Sequence, residues 1–172
     1  EVTSERNTTT LFGTGAIEML AYEMTEELQA IRKQSLIIAE EKNKNIKASL
    51  IAKGVDFGYI IAHPDGTYDA SGIRGIDMDL VVKPFGVKGI AVSLREFTNF
   101  ALNHHHGIQT SERFGWARTG IEDFDNDGFS NEFSIGQTSA LVVYQASLPP
   151  PVRIIYTDPE KQKSSELGEK LF

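Results

Sequence analysis

The chain has 172 residues, a formal charge of -7 and 40% hydrophobic residues. That length is enough for one ordinary domain or a tightly joined pair. The acidic balance excludes a duplex nucleic-acid binder, which needs a basic face, and no apolar run approaches membrane length. Cysteine is absent, which excludes disulfides, thiolate catalysis, cysteine-type zinc sites and covalent c-type haem within these residues.

Residues 1–10 are polar, carry no signal-peptide pattern and are expected to be mobile. A double-glycine turn, LFGTG, precedes a helix expected from about Ala16 to about Asn43, with Thr14 as a candidate N-cap. Ile17, Leu20, Met24, Leu28 and Ile31 form one apolar stripe along it. The LIIA stretch is read as a kink or the start of a second helix, and EEKNKNIK as a solvated exit.

From Lys47 the period changes. Residues 47–83 predict a small antiparallel β element of two or three short strands, with a turn at Pro64-Asp65-Gly66 and a last strand at Leu80 to Val82. Val55, Phe57, Tyr59 and Ile61 alternate as its apolar face. His63, just before the turn, is read as structural.

The next helix is expected from about Ser93, an N-cap that forms a capping box with Glu96, and should stop at Gly107. Leu94, Phe97, Ala101, His104 and His105 recur on it at helical spacing. His104, His105 and His106 cannot share one face at about 100° per residue, so one or two at most serve a single site. Imidazole is the commonest metal ligand and titrates nearest neutrality; the plainer alternative is a polar helix end favoured by the dipole. In SERFGWARTG the only tryptophan, Trp116, lies near Arg113 and Arg118. It is either one half of a stacking pair or cofactor wall, or a core anchor with surface charges around it.

The second chemical motif is DFDNDGFSNE. Asp123, Asp125 and Asp127 are spaced by two and followed by Gly128, the front half of a calcium loop. Phe129 would offer its backbone carbonyl. The twelfth position is Ser134 where an EF-hand has a bidentate Glu, so Glu132 is the expected closing ligand, with Asn131 assisting. Without an ion, these carboxylates repel one another. A helix over Gly136 to Ser147 ends at Pro149-Pro150-Pro151, and a linker leads into a closing amphipathic helix with Leu167, Leu171 and Phe172 near one face.

Taken together, TLFGTGAIEML, KPFGVKG, LREFTNFALNHHHG, SERFGWARTG, DFDNDG and ALVVYQASLPPP resemble the di-haem oxidoreductases akin to bacterial cytochrome c peroxidases, some known as thiol oxidoreductases. The resemblance runs from Leu11 to Phe172. It implies a periplasmic or otherwise extracytoplasmic protein with two cytochrome c-like domains, each carrying a CxxCH haem motif. This chain has no CxxCH. The resemblance therefore implies a segment of a larger protein, whose haem is held by flanking domains or by another chain carrying CxxCH, with an electron-donor protein as a further partner. In that setting one of His104 to His106 would be a haem ligand or acid–base group. Arg113 and Trp116 would face the porphyrin edge or its propionates, and calcium would sit in the Asp123–Glu132 loop.

The expected architecture is mainly α with a small antiparallel β element, a cytochrome c peroxidase-like segment. Residues 11–45 are helical, 46–85 hold the β element, 90–148 run helix, calcium loop, helix, and 149–172 form a Pro-rich linker and the start of a helix. The alternative function is a non-enzymatic, calcium-stabilised docking or binding module. A mononuclear metalloenzyme built on the histidines lacks HExxH or His-x-His spacing, and neither a G-x-S-x-G elbow nor a phosphate loop occurs.

Overall fold

A computed structural model describes residues 10–171. The expectations for residues 1–9 and for Phe172 lie outside the described residues. The architecture is mixed: a long helix α1 (Thr14–Lys42), a three-stranded antiparallel sheet β1 (Ile46–Ala52), β2 (Val55–Ala62) and β3 (Tyr68–Asp69), and then helices α2 (Leu94–His106), α3 (Ser111–Phe114), α4 (Trp116–Thr119), α5 (Ile135–Ser147) and α6 (Pro159–Leu171). The helices and the small antiparallel sheet match the coarse expectation. Among the described residues no helix is long and apolar enough to cross a membrane.

α1 is one continuous helix through the LIIA stretch, with no second helix starting there. Its start is set by Gly13 in the left-handed region, and Thr14 is its first turn rather than its cap. The Thr14 hydroxyl donates to Leu11 O and lies 3.2 Å from Gln145 O on α5. Asn43, also left-handed, ends the helix. The buried stripe is Thr14, Ala21, Met24, Leu28, Ser35 and Ala39. Ile17 and Leu20, expected to be buried, are 44% and 47% exposed. The sheet covers the helix only from Met24 onward, where Met24 and Leu28 pack with Leu50, Phe57, Ile60 and Leu80 in the larger core. At the other end α5 approaches at Gly15, where a Cβ would stand 2.3 Å from Ala146 O.

β1 and β2 form a hairpin whose two-residue turn, Lys53-Gly54, has both residues at positive φ, the geometry that matches strand twist. The sequence reading missed this turn and saw only the next one at His63–Thr67, where the Thr67 N–H and hydroxyl both meet Asp65 Oδ1. The expected apolar face of β2 is also corrected. Phe57 is buried, but so are Gly58, Ile60 and Ala62, while Val55 is 48% exposed. One extra residue on β2 faces the stretch from Ser49 to Ile51, and Gly58 at that bulge has φ +86°. A bulge inserts one residue and so reverses which parity of side chains faces the core. Leu80 to Val82 is a loop, not a strand: Leu80 has φ +62° and is fully buried, and the Val82 N–H donates to the Thr25 hydroxyl of α1 at 3.0 Å.

α2 starts and stops as its sequence predicts. Ser93 Oγ accepts from Glu96 N–H at 3.1 Å, although the Glu96 carboxylate accepts from the Val92 N–H rather than from that of Ser93. Gly107, at φ +68°, closes the helix with Gly107 N–H to Asn103 O and Ile108 N–H to Leu102 O. Its buried side chains are Leu94, Thr98, Asn99 and Leu102, a face rotated from the predicted Leu94–Phe97–Ala101–His104 line. Leu94 packs with Phe85 and Ala91 in a smaller core flanked by Phe97, Phe100 and Val142. α5 carries a full capping box between Ser134 and Gln137.

Between α2 and α5 the packing is partly polar. The Thr98 hydroxyl lies 2.7 Å from Gln145 Oε1, and both residues are buried. Replacing Thr98 with Val is expected to cost roughly 1–3 kcal/mol, because it leaves a buried amide unpaired, and Thr98→Val combined with Gln145→Leu is expected to recover part of that loss. Urea denaturation of the two variants beside the wild type measures it; equal losses in the single and double variants would show that this contact contributes nothing.

Candidate metal centre

The Asp123–Glu132 segment joins α4 to α5. Asn126, Gly128 and Asn131 sit at φ +59°, +93° and +55°, left-handed positions suited to Gly and Asn. This winding turns alternate side chains inward. One oxygen from each of Asp123, Asp125 and Asp127 lies within 4.8 Å of the others, below the roughly 5 Å that separates oxygens on opposite sides of a calcium ion. Backbone donors fix two of the three carboxylates: Gly128 N–H donates to Asp123 Oδ2 at 2.9 Å and Phe129 N–H to Asp127 Oδ1 at 2.8 Å.

The second oxygen of Asp123, Oδ1, is buried and has no hydrogen-bond partner among the described residues. A buried carboxylate oxygen without a donor is costly unless a cation meets it. Asp125 and Asp127 are exposed; desolvation first, then the charges of Asp127 and Glu132 and the approach of the Asp123 carboxylate, hold the Asp125 carboxyl above the ordinary range. The donor set is all hard oxygen, which fits calcium better than a soft transition ion.

Glu132, expected to close the loop, has another engagement: its Oε2 accepts from the Gln109 N–H. Asn131 Oδ1 accepts from the Ser111 hydroxyl at 3.2 Å, and Phe133 O from the Ser111 N–H at 2.8 Å. The far side of the loop is thereby stitched to the segment that follows α2. The Phe129 side chain is 71% exposed, consistent with a part played only through its backbone. The structure thus brings together Asp123, Asp125 and Asp127, and uses Glu132 and Asn131 as tethers.

The other expected site residues lie apart. His104, His105 and His106 are all exposed at the end of α2. His104 stacks on Phe100 with ring centroids 5.9 Å apart and planes 9° from parallel, so the predicted apolar face does not end in buried imidazoles. Trp116 is 65% exposed, which removes its reading as a core anchor. Nor is it the stacking partner of Arg113, whose guanidinium lies 4.2 Å from the Phe100 centroid and 5.4 Å from that of Phe114. Gly115 is the reason: it is buried against Ser111 O, where a Cβ would come within 2.4 Å, and the chain breaks between α3 and α4 there and carries Trp116 outward.

Arg113 and Arg118, which the sequence singled out, join Arg95, Phe100 and Glu112, which it did not, in lining a cleft of about 370 Å³ beside α2. None of the three histidines lines it. Arg95 Nε donates to both Glu112 oxygens, at 2.8 and 2.9 Å. That pairing, ahead of smaller contributions from Asn99 and Arg118, holds the Glu112 carboxyl below its ordinary range. The pair spans two elements 17 residues apart, a separation with no periodic signature.

Comparisons with known protein families, with curated proteins and with solved structures found no match.

Proposed function

We propose that this chain is a calcium-stabilised segment of a larger di-haem oxidoreductase of the cytochrome c peroxidase-like kind, not active by itself. The observation that carries the calcium half is the Asp123 Oδ1 atom, buried without a donor beside two further carboxylates. Asp123, Asp125 and Asp127 would hold the ion, with the Phe129 carbonyl and the Glu132 oxygen not bonded to the Gln109 N–H as further donors.

The redox half is supported by the sequence blocks that resemble the family and by the exposed imidazoles at the end of α2. Haem, held by flanking domains or by another chain carrying CxxCH, would supply the iron chemistry. This chain would contribute one of His104 to His106 as a ligand or acid–base group, with Arg113 and Trp116 at the cofactor's edge. The proposed setting is periplasmic or extracytoplasmic, with an electron-donor protein as a further partner. The coding sequence around this stretch provides the test. A CxxCH next to it is expected, together with loss of a haem absorbance signature in the whole protein when His104, His105 and His106 are replaced by Ala. A whole protein that binds no haem, or whose haem spectrum ignores all three replacements, would defeat the redox reading.

A second reading has its own observation. Met19 and Tyr22 on α1 and Val143 and Tyr144 on α5 are 61–67% exposed, apolar side chains that a docking partner would cover. A non-enzymatic docking module would keep the calcium response and show no haem signature.

A further inference from the structure

The cleft beside α2 is built from groups outside the calcium loop and the histidines, and shares only Arg113 with the cofactor edge proposed above. Its two carboxylates are already engaged. Glu112 is gripped by Arg95, whose Nη1 also reaches Ser139 Oγ at 3.0 Å. Glu96 accepts from the Val92 N–H and sits in the first turn of α2, where the dipole compensates its charge. Arg113 and Arg118 have no carboxylate partner and donate no side-chain hydrogen bond among the described residues. Arg113 is nevertheless held in place, its guanidinium stacked on Phe100 at 4.2 Å, which leaves its N–H edge for a ligand. In a chain of net charge -7, a concavity lined by three arginines against two carboxylates is a local reversal of sign.

We propose that this cleft is a binding site for a small oxyanion, a carboxylate or a phosphate, taken up by the N–H forks of Arg113 and Arg118. Planar guanidinium forks match two-oxygen acceptors, and such charge-assisted pairs are the strong ones. The Arg95–Glu112 pair forms part of the wall, and Arg95 takes the larger share of the Glu112 charge, ahead of Arg118. The volume of about 370 Å³ suits a ligand of small-metabolite size rather than a polymer.

Titration of the chain with inorganic phosphate and, separately, with acetate, followed by NMR at the arginine Nε–H signals, tests the site. Sodium chloride at matched ionic strength is the control. Saturable shifts at Arg113 and Arg118 are expected with at least one of the two anions, and the anion that saturates at the lower concentration names the source chemistry. Arg113→Gln together with Arg118→Gln is expected to weaken that binding at least about tenfold, whereas Arg153→Gln, which removes an arginine paired with Glu169 elsewhere, is expected to leave it unchanged. Shifts that grow linearly and match those given by chloride would overturn the proposal. So would unchanged affinity in a double variant that stays folded. If that variant does not fold, the wild-type titration decides alone. The outcome does not depend on calcium or haem, because neither enters the assay.

Discussion

Adding calcium to the chelated chain is expected to raise its melting temperature by several degrees. An ion that binds only the folded state stabilises it by about 2.7 kcal/mol when present at a hundredfold excess over its dissociation constant. For a chain of this size each kcal/mol is worth roughly 2–4 °C, so the expected rise is about 5–11 °C. The mechanism is local. Three carboxylates with oxygens within 4.8 Å of one another repel in the ion-free chain, and Asp123 Oδ1 has no donor.

Asp125→Asn separates this account from general salt effects. Asp125 lies in the loop without a donor to its carboxylate among the described residues, and its proton affinity is raised. The variant is therefore expected to melt at or above the wild type in chelator, because a repelling charge is gone, and to lose most of the calcium increment. The pH response should also divide. The folded chain holds the Asp125 proton more tightly than the unfolded chain, so without metal this group adds stability as pH falls through the carboxylate range and withdraws it as pH rises. With calcium the direction reverses, since the ligands must be ionised to bind. Differential scanning calorimetry with calcium and with chelator, at two pH values, measures both. A midpoint that ignores calcium at neutral pH would remove the ion from this protein's account.

Gly58→Ala is expected to be the most damaging single methyl addition. At φ +86° the position is one that side chains other than glycine rarely adopt, and an added Cβ would stand 2.0 Å from Gly72 O. That oxygen also accepts the Tyr59 N–H at 3.1 Å, so it cannot withdraw without breaking a sheet-edge bond. Backbone strain of about 1–3 kcal/mol and overpacking of about 1–3 kcal/mol together predict a loss near 4 kcal/mol. Gly54→Ala serves as the control: it has a similar φ of +82° with open space around the Cβ, so it should show the strain without the clash. Chemical denaturation of both variants measures the difference, and equal losses would mean that the bulge tolerates the methyl group.

The elements whose causes are local were legible in the residues. Ser93, Glu96 and Gly107 bound α2 because their side chains and backbone act within one turn. Asp123, Asp125, Asp127 and Gly128 wind into a convergent loop because alternate positions and a left-handed glycine are sufficient for that. Helix against strand was likewise readable from period, apart from the hairpin turn at Lys53-Gly54 and the stretch Leu80 to Val82, which is a loop.

What depends on a second segment was not legible. The face of β2 that is buried was reversed by one bulge at Gly58, whose necessity comes from Gly72. Ile17 and Leu20 fit the apolar stripe of α1 and still stand exposed, because burial requires a covering layer and the sheet begins only at Met24. Glu132 has the chemistry of a ligand but is bonded to the Gln109 N–H, 23 residues away. Arg95 with Glu112, and Arg113 on Phe100, meet only after α2 and α3 fold together. The sequence by itself determined the caps, the periods and the acidic loop, since these follow from neighbours a few bonds apart. The tertiary structure alone decided which apolar faces are covered and which charges are paired, since that is set by whichever distant group occupies the facing position.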